Sequence, residues 1–264
     1  MFKSLIVALA VLPGLAGAAA ATDFLPTRKP PPALPVAPPP FTWTGFYVGL
    51  NAGGALSADG AAKTTGTPGF RALGPAALGV DAAGFIGGAQ IGYNEQVGTL
   101  VLGVEADIDG ADLGRSSRFT RASSLLGATL VTTASQRLAD LGTLRARLGY
   151  TPADRWMIYA TGGLAYGEAK LGGSVTADGA PALSWSGATT RMQLGLAVGA
   201  GAEYALTDHV SVKAEYLYYD LGRIANATTP AAAVLATPAL AGVSYAARSG
   251  IAGSLLRAGV DYRF

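Results

Sequence analysis

No cysteine occurs in the 264-residue sequence, and histidine occurs once, at His209. The first absence excludes disulfides, thiolate metal sites and a lipid-modified cysteine. The second leaves little with which to build imidazole chemistry. Charge is also scarce: charged residues are 14% of the chain and the net charge is +2, no electrostatic footprint for nucleic acid. Beyond residue 22 no run of 18 apolar residues occurs, so no helical membrane span is available. Yet hydrophobic residues make up 50% of the chain. High hydropathy without a helical span is what results when every second residue faces hydrocarbon. The 37 glycines fit strands packed around a narrow lumen better than long helices, which glycine destabilises.

Chemistry-bearing constellations are equally thin. His209 sits beside Asp208 in a predicted short turn, with no nucleophile singled out. Gly199-Ala200-Gly201 lacks the third glycine of a dinucleotide loop. Asp107, Asp109 and Asp112 have a spaced-acid pattern, but no EF-hand glycine and final glutamate follow. No catalytic residue, cofactor or metal site is therefore expected.

The N-terminus carries a different signal. Residues 1–21 hold one charge, Lys3, then an apolar run from Leu5 to Leu12 and an alanine-rich end. That is the pattern of a secretory signal peptide, with cleavage expected within residues 18–22. Residues 22–41 follow as a proline-rich linker, an extended spacer rather than part of a core.

The remainder, 42–264, reads as strands. Alternation of apolar and polar positions predicts eight, at about 43–55, 84–94, 99–109, 138–150, 155–167, 191–204, 210–220 and 254–264. The third is the cleanest: Leu100, Leu102, Val104, Ala106 and Ile108 alternate with Val101, Gly103, Glu105, Asp107 and Asp109. Connections of a few residues (95–98, 151–154, 205–209) alternate with long ones (56–83, 110–137, 168–190, 221–253). An even strand count, with short links at one end and long ones at the other, predicts an all-β fold. Its form is an eight-stranded antiparallel transmembrane β-barrel with short periplasmic turns and four long outer loops. Apolar-face residues beside the short turns are aromatic, namely Phe46, Tyr93, Tyr150, Trp156, Tyr204, Tyr262 and Phe264, as an interfacial girdle requires. Phe85, Tyr166 and Tyr218 supply a second girdle at the far end.

The opposite face carries charge. Glu105, Asp107, Asp109, Glu203, Glu215 and Asp261 are set against Arg145, Arg147, Arg191, Lys213, Arg257 and Arg263, six of each sign. Eight strands leave an interior wide enough only for side chains, so these charges are expected to pair and close the lumen.

Several stretches then resemble a known group: Trp43–Gly54 (WTGFYVGLNAGG) after a proline-rich spacer, Ile91-Gly92-Tyr93-Asn94, Gly103-Val104-Glu105-Ala106-Asp107, and the closing Ala258–Phe264 (AGVDYRF). They resemble the alphaproteobacterial outer-membrane β-barrel proteins of the porin/OmpA-like family, the major surface antigen type, over roughly residues 41–264. The resemblance implies a barrel in the cell outer membrane that supports the envelope and displays surface loops. It implies Phe264 as the assembly signal read by the barrel assembly machinery; the chain departs from OmpA itself by ending at the barrel, so no peptidoglycan-binding domain is expected after it. Expected partners are outer-membrane lipid and lipopolysaccharide, the latter through Arg71, Arg115, Arg118, Arg121 and Arg248. A weak homo-oligomer fits the same picture. Some relatives bind haem, but the expected outer loops hold no His or Met and only Tyr245 as a candidate ligand. A small-solute porin and a surface adhesin or ligand-binding protein are the alternative functions.

Overall fold

The computed structural model describes residues 40–58, 61–67, 75–79, 83–123, 127–238, 240 and 242–264. The expected signal peptide, nearly all of the proline-rich linker and Arg71 lie outside the described residues. Among the described residues eleven strands follow in order: β1 (Gly45–Ser57), β2 (Ala61–Gly66), β3 (Ala77–Gly79), β4 (Ala83–Val97), β5 (Leu100–Ser123), β6 (Ala128–Ala153), β7 (Trp156–Ala177), β8 (Ala180–Ala205), β9 (Val210–Ala227), β10 (Thr229–Pro230) and β11 (Tyr245–Arg263).

Eight of them form a ring, β1-β4-β5-β6-β7-β8-β9-β11, closed by antiparallel pairing of β11 with β1 from Tyr47↔Arg263 to Ser57↔Gly253. Closure matters because an edge left in hydrocarbon would strand backbone groups with no water to bond. At one end the links are short: a turn at Gly98 (φ 63°), two residues at 154–155 and four at 206–209.

Outward side chains in the lower strands are apolar and exposed, among them Val104, Leu144, Leu148, Ile158 and Leu194. An exposed leucine on so many adjacent strands is a liability in water and a requirement in lipid. The girdle aromatics lie on this outer surface beside the short turns. Two pairs face each other in register across neighbouring strands, Phe46 with Tyr93 and Trp156 with Tyr204, each with ring centroids 4.8 Å apart.

At the long-link end the structure departs from expectation. Segments 110–137 and 168–190, read as loops, are mostly strand, and the β7–β8 link is the two residues Asp178-Gly179. The physical reason is an inverted pattern. Here the inward residues are apolar (Leu113, Leu130, Leu138, Leu171, Val175), while outward ones such as Ser116, Thr133 and Ser174 are small and polar. Bulges at Gly110/Leu113 and Leu138/Gly142 also shift the phase of alternation. A β2–β3 hairpin pairs on β11, and one helical turn, Ala232–Leu235, precedes it.

Candidate functional site: the barrel interior

Three layers fill the lumen. Nearest the short turns, Trp43, Val101, Met157, Tyr159 and Ala205 form an apolar cluster against which Phe41 packs. Trp43 is fully buried and is anchored twice. Its backbone N–H donates to Gln96 Oε1 at 2.8 Å, and its indole N–H donates to the Asp154 carbonyl at 3.2 Å. Phe41 and Trp43 therefore belong to the mouth, not to a solvated spacer or a lipid-facing strand. The sequence signal was available: two aromatics directly after a proline run, with no girdle position for Trp43.

The second layer is charged. Arg145 on β6 reaches Glu105 (2.5 Å) and Asp107 (2.8 Å) on β5 and Glu215 (3.0 Å) on β9. Arg257 on β11 crosses to Asp107 and Asp109 on β5, both at 2.7 Å, and holds Glu215 at 2.7 Å. Lys213 donates to Glu105 at 2.8 Å and stands 4.0 Å from Asp261. Arg147 pairs with Glu203 and lies 3.6 Å over the Tyr159 ring. Neutral donors take further carboxylate lone pairs: Tyr47 O–H to Glu105 (2.8 Å), Thr143 to Asp107 (2.8 Å), Ser211 to Glu203 (2.6 Å), Tyr159 to Glu215 (3.1 Å) and Gln90 to Asp261. Each of the ten ions is buried. Buried charge persists only where partners and hydrogen bonds compensate it, so the dense cross-strand bonding is what allows six carboxylates in this space.

Glycines make room for this layer. A Cβ on Gly49 would collide with the Asp261 carboxylate, and one on Gly163 with the Leu144 carbonyl and the Arg145 Cα.

The third layer is the apolar core of the long-hairpin half. Leu130, Leu171, Val175, Trp185, Ile224, Val234, Leu240 and Tyr245 are buried together. The segment between β10 and β11 folds into it, with the Trp185 indole N–H bonded to the Val243 carbonyl at 3.0 Å. Sequence reasoning missed this layer because its alternation was sought in lipid-facing phase.

Two of the expected lumen charges stand elsewhere. Arg191, on β8 above the membrane-facing stretch, is exposed and makes no ion pair among the described residues. Arg263 is buried at the mouth, over Phe41 (4.6 Å) and Trp43 (5.1 Å), and donates to the Asp208 carbonyl at 3.0 Å rather than to a carboxylate. The connected layer thus holds six acids and four bases, not six of each.

The other candidates can be placed as well. His209 lies in the short turn, its Nδ1 2.9 Å from the Arg263 carbonyl and its ring stacked on Tyr262. Phe264 is exposed on the girdle, its N–H bonded to the Phe46 carbonyl at 3.0 Å. Tyr245 is buried in the apolar layer. Strand alternation splits the arginines of the β5 extension: Arg115 and Arg121 share one face with Phe119, and Arg118 points the other way.

The model of the outer membrane protein beta-barrel domain matches residues 7–264. The chain is 40% identical over 195 residues to the 31 kDa outer-membrane immunogenic protein of Brucella melitensis, which spans 73% of this chain and 78% of the relative. It is 28% identical over 137 residues to a 22 kDa outer membrane protein of Rhizobium leguminosarum, covering 52% and 53% of the two chains. Among solved structures, the outer membrane protein OprG from Pseudomonas aeruginosa aligns with 84% of this chain and 96% of its own, at 15% identity and a TM-score of 0.47. The chain belongs to the outer-membrane β-barrel domain family, in the company of the alphaproteobacterial immunogenic proteins, and its place is the cell outer membrane.

Proposed function

We propose that this protein is a structural barrel of the outer membrane that supports the envelope and displays its long hairpins at the surface, with a lumen that passes no solute. One observation carries the reading: a layer of ten bridged, buried ions lies between two apolar layers, one at the periplasmic mouth and one in the outer half. An ion path needs polar groups continuous from end to end. Here both ends of the charged layer abut packed aromatic and aliphatic side chains, where an ion has no partner. Among the described residues, no cluster of His, Cys, Asp or Glu could hold a metal. The single imidazole is engaged by a backbone carbonyl and an aromatic ring. The role proposed is that of a structural, non-enzymatic barrel.

The test is conductance. Refolded protein inserted into planar bilayers is expected to give no steady open steps, and liposomes bearing it to exclude small sugars. Stable conductance from the parent chain would replace this reading with that of a small-solute porin.

A further inference from the structure

In the charged layer the acids outnumber the bases, and the surplus lies on one side of the ring. Among the described residues β1, β4 and β5 bring Asn51, Gln90, Glu105, Asp107 and Asp109 to the layer and no base, while Arg145, Arg147, Lys213 and Arg257 stand on β6, β9 and β11. The six acids are not served alike. Glu105, Glu203 and Glu215 have both oxygens engaged by a cation or a hydroxyl, and Asp107 Oδ2 receives three donors. Asp109 meets Arg257 through Oδ2, and Asp261 meets Gln90 through Oδ1. Their other oxygens, Asp109 Oδ1 and Asp261 Oδ2, are buried with no hydrogen-bond partner among the described residues. Lys213 stands 4.0 Å from Asp261 Oδ2 and is committed to Glu105 at 2.8 Å.

A bridge of two amides joins these two acids across the seam that closes the ring. In one row Gly49 of β1 lies between Asp261 of β11 and Gln90 of β4. In the next, Gly88 of β4 lies between Asn51 of β1 and Asp109 of β5. Each glycine clears the way, because a Cβ on Gly49 or Gly88 would collide with the Asp261 or Asp109 carboxyl. Over the gaps Asn51 Nδ2 donates to Gln90 Oε1 at 3.3 Å, and Gln90 Nε2 donates to Asp261 Oδ1. Asn51 is 5% exposed, faces Asp109 across Gly88, and has an Oδ1 that receives no donor among the described residues. An ionised carboxylate beside it has no hydrogen to give, whereas a carboxylic acid has one.

We propose that Asp109 and Asp261 are a pair of proton-binding sites, keeping their protons in the folded barrel at pH values where an aspartate is ordinarily ionised. Six acids less these two leave four anions, matching the four bases. A buried acid short of donors and cations takes a proton rather than remain charged in a sealed space. Asp109 faces Arg257 from β11, Arg145 from β6, Asn51 from β1 and Asp107 on its own strand. Asp261 faces Lys213 from β9, Glu203 from β8, Glu105 from β5, Gln90 from β4 and Tyr47 from β1. The inference rests on the sealed layer of the function proposed above. Its consequence is that folding takes up two protons. The stability they contribute is fully present below the ordinary aspartate range of about 4, and is lost as pH rises through the range where the barrel releases them.

The experiment is urea unfolding of the full refolded chain in phosphatidylcholine vesicles from about pH 5 to about pH 8, for the parent, Asp109→Asn, Asp261→Asn and the double variant. The parent's unfolding constant is expected to rise with pH more steeply than the double variant's, by up to about a hundredfold per pH unit, tenfold for each proton taken up. Each single variant is expected to keep about a tenfold excess. His209 titrates in this range in all four proteins and cancels. The infrared difference between parent and double variant at the acid end should contain a carboxylic C=O band. Should the double variant fail to fold, the single variants serve, and a single variant with the parent's slope would overturn the proposal. Equal slopes in parent and double variant, with no such band, would mean that both acids are ionised and would also overturn it. A parent stability set by sodium or potassium concentration instead of pH would replace the protons with a bound cation. Conductance would refute the closed lumen, whereas equal slopes in a barrel that does not conduct refute the proton sites alone.

Discussion

Replacing Arg257 by Gln removes one cation from three carboxylates at once. Its guanidinium lies 2.7 Å from Asp107, Asp109 and Glu215, and its side chain is fully buried. Arg145 still serves Asp107 and Glu215, whereas Asp109 keeps no ion partner within the network. Removing one member of a buried pair leaves uncompensated charge and typically costs 3–5 kcal/mol, so the unfolding equilibrium should shift by a factor of roughly 10²–10⁴. The intact network itself need contribute little net stability, since desolvation offsets most of its Coulombic gain. The assay is urea unfolding in phosphatidylcholine vesicles, followed by the fluorescence of Trp43, Trp156 and Trp185. Arg155→Gln, which breaks a pair with Asp208 at 2.8 Å on the exposed turn surface, is the control and should cost at most about 1 kcal/mol. An Arg257→Gln cost no larger than the control's would refute the claim that these ions are sealed from water.

Further outcomes follow from other elements. Asp109→Asn should cost less than Arg257→Gln in the same titration, because acids outnumber bases six to four. Leu144→Arg, on the lipid face of β6, should destabilise by about 2–4 kcal/mol, whereas Ser116→Arg on the exposed β5 extension should cost about 1 kcal/mol or less. A gel-shift titration of the two separates membrane-facing from water-facing strand. Gly163→Ala should cost about 1–3 kcal/mol by overpacking the Arg145 backbone, read as a lower unfolding midpoint. Phe264→Ala should leave refolded stability near that of the parent, since the ring is exposed. It should lower the amount of folded protein reaching the outer membrane in cells, measured as the heat-modifiable fraction.

The membrane-facing part of the fold was legible in the sequence because lipid imposes alternation there. Val104 to Ile108 and Leu144 to Tyr150 each read as one apolar face, and the in-register aromatic pairs mark the turns. Residues 110–137 were not legible, because above the hydrocarbon the apolar residues move inside and bulges break the phase. The same change misplaced Arg191: its parity is that of the lumen, but it stands above the charged layer and is exposed. Arg263 was assigned a carboxylate on parity alone, whereas aromatic rings and a carbonyl hold it. The identities of the lumen ions could be read from alternation along single strands. Which ion meets which, as in Arg257 reaching over β1 and β4 to β5, depends on ring closure and has no local signal.

The central claim is that outward side chains of β6 and β7 meet lipid while inward ones meet neither lipid nor water. A chain without cysteine allows it to be measured one position at a time, by spin-labelling single cysteines at Thr143, Leu144, Ala146, Leu148, Ala160 and Thr161 in vesicles. Collision with oxygen and with a water-soluble nickel chelate should be high and low respectively at 144, 146, 148 and 160, and low for both at 143 and 161. Strong collision of the nickel chelate with the labels at 143 and 161 would contradict a closed lumen, and absence of alternation would contradict the barrel itself.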